Sequence, residues 1–235
     1  MELLFREDAY LTDCTATVTA SGPEGLRLDR TVFYPMGGGQ PGDSGWLVLA
    51  DGTRLPVVDA VKGSDHEDVV HVLAEGATAP APGTPVTAEI DWPRRHRHMR
   101  MHSCLHLLCA VVTGDVTGGQ VGADKGRLDF NLPDTQLDKE HITAELNRLI
   151  DEDHAVEPRW ISDEDLAAQP DLVRTMSVKP PSGGGQVRLL DIAGVDLQPC
   201  GGTHVRRTGE IGRVRVGKIE NKGRQNRRIN ILFDE

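Results

Sequence analysis

Through residues 1–91 the apolar positions come in short runs, many alternating with polar ones, and each run is broken by Gly, Pro or Asp. The segments "CTATVTA", "LRLDRTVFYP", "GWLVLADG", "LPVVDAV", "DVVHVL" and "PVTAEIDW" are β-branched and of strand length. Their spacing predicts a small β-barrel, closed or partly open. The stretch "AEGATAPAPGTP" (residues 74–85), rich in Ala, Pro and Gly, then joins two strands of that unit rather than two domains. A helical period follows. Pro93 suits a first helical turn, and Met101, Leu105, Leu108 and Val112 recur at helical spacing, so a buried helix is predicted over residues 94–112.

Beyond it, "GGQVGADKGRLDFNL" predicts a turn and then a strand. Ile142, Leu146, Leu149 and Ile150 set a second helix over residues 138–154, and "SDEDLAAQ" a short third one. "VRLLDI", "VDLQP", "GRVRVGKIEN" and "RRINILF" are strands. The expected fold class is α+β. An N-terminal β-barrel domain over residues 1–91 precedes an α+β sandwich over residues 92–235, with helices laid against a sheet. "GGGQ" occurs at 37–40 and 183–186 and "GGQ" at 118–120, but their flanks differ, so turn chemistry and not an internal repeat explains them.

Composition narrows the class. A chain of 235 residues buries a core without staples. No apolar run approaches the roughly 20 residues of a membrane span. The opening "MELLFREDAY" carries acids at Glu2, Glu7 and Asp8 and lacks the order of a signal peptide, so a soluble, cytoplasmic protein is expected. Cys14, Cys104, Cys109 and Cys200 suggest no disulfide framework, which agrees with a reducing compartment. The formal charge of -10 argues against a polyanionic partner, yet its distribution is uneven. Residues 205–230 hold nine Lys or Arg against two acids, whereas residues 138–171 hold eleven acids against three basic residues. That basic segment and "RRHRHMRMH" (residues 94–102) are either a positive face or ordinary solvated positions.

Candidate chemistry centres on two stretches. In "QPCGGTHVRRTG", Cys200 and His204 flank a Gly-Gly pair that lets the backbone turn so that both side chains point to one centre. In "MHSCLHLL", His102 and His106 stand i and i+4 on the predicted helix and share a face. Alone, H-x-x-x-H more often marks a hydrogen-bonded core histidine beside a surface one. Three imidazoles and a thiolate together suit Zn²⁺. Lying about 95 residues apart, the two pairs need the fold to join them. Four protein ligands ordinarily close a zinc site, so either one of them is weak or the ion positions substrate instead of making a nucleophile. A second loop, "TVFYPMGGGQPGDSG", offers backbone amides for close approach to a ligand; it lacks the Walker lysine and the G-x-G-x-x-G spacing of a nucleotide site.

The set "FYPMGGGQPGDSG", "RHRHMRMHSCLHLL", "GRLDFNL", "CGGTHVRRTGEIG" and "KIENKGRQNRRINI" closely resembles the alanyl-tRNA editing proteins, freestanding relatives of the editing domain of alanyl-tRNA synthetase. The likeness runs through nearly the whole chain. The paired His and Cys-His motifs are shared with the threonyl-tRNA synthetase editing domain, whereas the N-terminal Gly-rich block points to the alanyl side. What the resemblance implies is hydrolysis, in trans, of tRNA(Ala) mischarged with serine or glycine. It implies one Zn²⁺ per chain on His102, His106, Cys200 and His204. Gln120 is matched to a glutamine that follows the H-x-x-x-H helix of the synthetase domain within a longer "Q-K-G-S" segment; "GGQVGAD" is shorter here. Thr31 sits where a hydroxyl helps tell serine from alanine, so Gln120 and Thr31 are the candidate catalytic residues. Gly37, Gly38, Gly39, Gln40, Asp43, Gly201, Gly202 and Thr203 are candidate substrate contacts, and Arg206, Arg207, Lys222, Arg224, Arg227 and Arg228 candidate tRNA contacts. No membrane and no obligate protein partner are implied. Two alternatives stay open: a zinc-stabilised tRNA-binding module without catalysis, and a deacylase of the same fold for another aminoacyl-tRNA.

Overall fold

The structure, a computed structural model, describes residues 1–64, 67–132, 137–173 and 185–235. The chain divides into two units, Met1–His96 and Arg97–Glu235. In the first, β1 (Glu2–Leu3) pairs in parallel with β4 (Arg30–Thr31). Six strands close a barrel: β2 (Asp13–Gly22), β3 (Gly25–Leu28), β5 (Gly45–Leu49), β6 (Arg54–Lys62), β7 (Val69–Leu73) and β8 (Pro85–Ile90), in the order β2-β3-β7-β6-β5-β8. Alternation puts Val18, Leu26, Leu28, Leu47 and Val86 inside, with small Ala60 and Ala88 where space is narrow. Residues 74–85 join β7 to β8 within the barrel, as their composition predicts.

The Gly-rich loop is a tight hairpin. Gly37 and Gln40 exchange backbone hydrogen bonds of 3.1 and 2.9 Å across Gly38 and Gly39, whose φ values of 57° and 81° are those of a two-residue turn that favours glycine. Gly42 is held against the barrel wall, where a Cβ would stand 2.0 Å from the Ala60 carbonyl oxygen. Asp43 turns inward. Its carboxylate accepts from Arg95 Nε at 3.0 and 2.9 Å, from Arg95 Nη2, and from the Tyr34 backbone N–H at 2.6 Å. Arg95 also donates to the carbonyls of Ala9 (2.9 Å) and Val32 (2.7 Å), and both members of the pair are fully buried. Asp43 thereby anchors the loop to the barrel. Gln40 is likewise fully buried.

Thr31 is inside the barrel as well. Its hydroxyl lies 2.8 Å from His71 Nε2 and accepts from the Phe33 backbone N–H at 3.0 Å, while His71 Nδ1 lies 3.1 Å from the Leu26 carbonyl oxygen. The hydroxyl thereby holds the turn into Phe33 and faces the His71 ring. Burial pushes the His71 pKa down to about 4, against the weaker opposing pull of the Leu26 carbonyl and Asp68. The unfolded chain protonates His71 near pH 6.5 and the folded one does not, so stability is whole above that pH and falls as pH drops towards 4. The full span is worth about 3 kcal/mol. Urea midpoints at pH 7.5 and pH 5 are expected to differ in the native protein and to converge in His71→Gln; an unaltered pH slope in that variant would remove His71 as the cause.

Helix α1 (Trp92–Val111) starts at Asp91, whose carboxylate accepts from the Arg94 N–H at 3.2 Å and whose carbonyl accepts from Arg95 N–H at 3.0 Å. From Met101 to Cys109 every residue is buried, because the helix is covered on both sides. In the second unit, β9 (Asp115–Gln120), β10 (Lys125–Asn131), β14 (Val214–Asn221) and β15 (Asn226–Phe233) form a sheet in the order β14-β15-β10-β9. Met101 and Leu105 of α1 lie over Gly126, where a Cβ would meet the Met101 sulfur at 2.6 Å. Helix α2 (Lys139–Asp151) is capped by Asp138 and turns Ile142, Leu146, Leu149 and Ile150 inward. Its Asn147 exchanges hydrogen bonds with the Val214 backbone, covering the β14 edge.

A second sheet, β11 (Val156–Ser162), β12 (Gln186–Ile192) and β13 (Asp196–Pro199), has β12 in the middle, and α3 (Asp163–Ala168) follows β11. The unit is thus the α+β sandwich expected. Two details differ. "GGQ" at 118–120 ends strand β9 instead of forming the turn, and β11 escapes the pattern because Pro158 and an exposed outer face are tolerated only at an edge. Gly183, of the second "GGGQ", lies outside the described residues. Among the described residues no helix is long and apolar enough to cross a membrane.

Candidate metal centre

Helix α1 presents His102, Ser103 and His106 towards the segment that leaves β13. There Cys200 Sγ stands 3.2 Å from His204 Nε2 and 3.7 Å from His102 Nε2. One donor atom from each of His102, His106, Cys200 and His204 lies within 4.8 Å of all the others. The two sequence motifs therefore meet. Tetrahedral zinc, with bonds of about 2.0–2.3 Å, places its donors roughly 3.3–3.7 Å apart, so the set fits that ion with small adjustments.

Neighbouring groups aim the ligands. His106 Nδ1 pairs with Asp196 Oδ2 at 3.1 Å, which leaves Nε2 for the centre, and Gln198 Nε2 donates to the same carboxylate oxygen at 2.6 Å. Ser103 Oγ lies 3.1 Å from His204 Nδ1 and accepts from the Val205 backbone N–H at 3.2 Å. Burial alone would push the Cys200 thiol up; the imidazoles of His102, His204 and His106 outweigh it and draw the thiol well below its usual value. Desolvation would lower His106, yet Cys200 and Asp196 push it up to about 9. His204, losing most to burial, stays well below the ordinary imidazole value. The thiolate is the form a soft divalent cation requires, and His106, charged beside it without an ion, gives up its proton when one binds.

The shape of the Cys200–His204 loop has another origin than its glycines. Neither Gly201 nor Gly202 takes a positive φ. Instead Arg188 Nη1 donates to the carbonyls of Cys200 (2.7 Å) and Gly202 (3.1 Å), and the Cys200 N–H returns to the Arg188 carbonyl at 3.1 Å. Gly202 and Thr203 are buried, whereas Gly201 is exposed with nothing within 4 Å of where a Cβ would stand. Asp196, Ser103 and Arg188 were not singled out from the sequence. Asp196 and Gln198 precede Cys200 by four and two residues, so strand periodicity alone puts all three on one face.

The Alanyl-tRNA editing protein AlaX-M of Methanosarcina acetivorans is 36% identical over 97% of this chain and 97% of its own length. The chain belongs to the alanyl-tRNA editing protein family. That family's AlaX-M of Saccharolobus solfataricus is 31% identical over the same 97% shares. The Alanine--tRNA ligase of Metallosphaera sedula is 37% identical over 93% of this chain, which spans 24% of that longer protein. The family model described as Threonyl and Alanyl tRNA synthetase second additional domain matches residues 187–230, and the one described as tRNA synthetases class II (A) matches residues 9–94.

In this member of the alanyl-tRNA editing family the basic residues are not spread as one open face. Arg95 is buried on Asp43, Arg97 pairs with Asp124 and Glu235, and Arg100 with Glu235. Arg227 is buried and donates to the Gly223 and Asn226 carbonyls, and Arg228 grips Asp129 at 2.7 and 2.8 Å. These contacts fix both guanidiniums against the sheet. Lys222 pairs with Glu220, and Arg207 with Asp153. Arg206, Arg207 and Arg224 are exposed. Gln120 is exposed at the end of β9 and accepts from Arg127 Nε at 3.3 Å.

Proposed function

We propose that the protein hydrolyses the aminoacyl ester of tRNA(Ala) mischarged with serine or glycine, acting in trans with zinc assistance. The observation that carries this reading is the convergence of His102, His106, Cys200 and His204 in a chain that matches an alanyl-tRNA editing protein over 97% of its length. A zinc ion held by those four residues would supply positive charge beside the ester, and Lewis acidity where one of the four yields its place. The remaining work belongs to the chain.

An aminoacyl ester is already activated, so the protein need only place it, admit water and steady the tetrahedral oxyanion. Water adds to the carbonyl carbon, the bond to the ribose oxygen breaks, and that oxygen takes a proton. Exposed Gly201, with open space above it, lets the substrate approach the centre, and the backbone from Gly201 to Thr203 lines that approach. Gln120 has an exposed amide suited to orienting water. By family resemblance, Thr31 is proposed to tell serine from alanine through its hydroxyl, and Gly37, Gly38, Gly39, Gln40 and Asp43 to contact substrate. Arg206, Arg207, Lys222, Arg224, Arg227 and Arg228 are the cations proposed for the phosphates, with affinity that falls as salt rises. A polar partner for the serine hydroxyl retains serine while alanine is held loosely.

Deacylation of Ser-, Gly-, Ala- and Thr-charged tRNA is the test, run beside elemental analysis. Ser- and Gly-tRNA(Ala) are expected to be cleaved and Ala-tRNA(Ala) largely spared, with about one zinc per chain. Unfolding by a chelator, with no ester cleaved by the untreated protein, would instead mark a zinc-stabilised RNA-binding module.

A further inference from the structure

Trp160 is a large aromatic side chain standing 49% exposed, on the edge strand β11. Its place in the sheet is informative. In register it lies opposite Arg188 of β12, and the Cys200 N–H bonds the Arg188 carbonyl at 3.1 Å, which continues the row across the sheet. Directly opposed residues of an antiparallel sheet share a face, so Trp160, Arg188 and Cys200 project to the same side. That side also carries Asp196 and Gln198, the groups that aim His106. With neighbouring strands about 4.8 Å apart, the indole begins about 10 Å from the metal-ligand cysteine. The guanidinium between them already grips the Cys200 and Gly202 carbonyls.

About half of the indole surface is left open to water. Here it stands one side chain beyond the centre where the aminoacyl ester is placed. The ester of an aminoacyl-tRNA sits at the end of a single strand whose bases are unpaired, and unpaired bases are held by stacking on aromatic faces. We infer that Trp160 is the stacking platform for the base of the esterified 3′-terminal nucleotide. The inference rests on the deacylase reading for its substrate. It assigns to β11, outside the ligand set, the task of fixing the RNA end so that the ester falls at Cys200 and Gly201. Arg188 holds the loop and separates the two positions, so the base and the ester occupy opposite ends of one row.

Trp160→Ala is expected to raise KM for mischarged tRNA about tenfold, within the range that removal of one base-stacking aromatic covers, with a smaller change in kcat. Trp160→Phe keeps a π-face and restores most of the loss. Because the position is exposed, zinc content and melting temperature stay at native values. An unaltered KM in Trp160→Ala overturns the inference while leaving the deacylase reading intact. Independently of activity, a short uncharged RNA ending in CCA is expected to quench tryptophan emission in the native protein and not in Trp160→Phe, in which Trp46 and Trp92 remain. Equal quenching in both, or RNA binding without quenching, overturns it. Native protein that cleaves no aminoacyl-tRNA but shows Trp160-dependent quenching removes the deacylase reading and retains the stacking contact.

Discussion

Replacing Cys200 with alanine is expected to empty the centre of zinc and to lower the deacylation rate by more than about 100-fold, beyond what loss of an outer hydrogen-bond partner costs a metal site. The reason is chemical. Of the four donors proposed to hold the ion, Cys200 would be the one sulfur and the one formal negative charge, and three neutral imidazoles alone hold zinc less tightly. The fold survives, because the loop is held by Arg188 through the Cys200 and Gly202 carbonyls and not by the sulfur. Single-turnover deacylation, elemental analysis and circular dichroism on the same preparation separate the effects. Asp196→Asn, which weakens the aim of His106 and leaves all four ligands, is expected to lose a smaller amount, about 10–100-fold in metal affinity. A Cys200→Ala protein that keeps full zinc and activity would remove the cysteine from the site.

The largest effect on stability is expected at Arg95. Replacement by methionine leaves Asp43 charged, fully buried and unpaired, a loss of about 3–5 kcal/mol. It also orphans the carbonyls of Ala9 and Val32. For a chain of this size the melting temperature drops on the order of 10 °C. Arg95→Lys recovers little, because one ammonium does not span the three acceptors that the planar guanidinium reaches together. The double change Arg95→Met with Asp43→Leu recovers part of the loss by removing the buried charge, though the two carbonyls and the Tyr34 N–H stay unmet. Calorimetry distinguishes the variants; a melting temperature for Arg95→Met within a degree of the native value would show that the pair does not hold the Gly-rich loop.

These two residues show unequal legibility. Cys200 was readable because C-G-G-T-H and H-x-x-x-H bring ligand types at spacings with a chemical meaning. Arg95 was read as one of a cluster of surface cations, since nothing local distinguishes it from Arg94 or Arg97. Its partner stands 52 residues earlier, and a charge becomes structural only when a distant carboxylate is buried with it. The partners of Thr31 and Asp43 were unreadable for the same reason: His71 and Arg95 stand 40 and 52 residues away and meet them only when the barrel closes. The expected helix over residues 94–112 and the observed Trp92–Val111 agree within two residues, because helical period and a capping Asp91 are local. β11 was missed because an edge strand needs neither alternation nor the absence of proline.

Local periodicity, turn chemistry and motif spacing determined on their own that this chain is a barrel followed by an α+β sandwich, and that it carries two ligand pairs. Those properties depend on neighbours within one turn of helix or one strand. Only the tertiary structure decided that the pairs share a centre, that Asp196 and Ser103 aim them, and which arginines are inward. Each of these is a contact between residues 50 to 140 positions apart, set by how sheets and helix pack, and no local period encodes it.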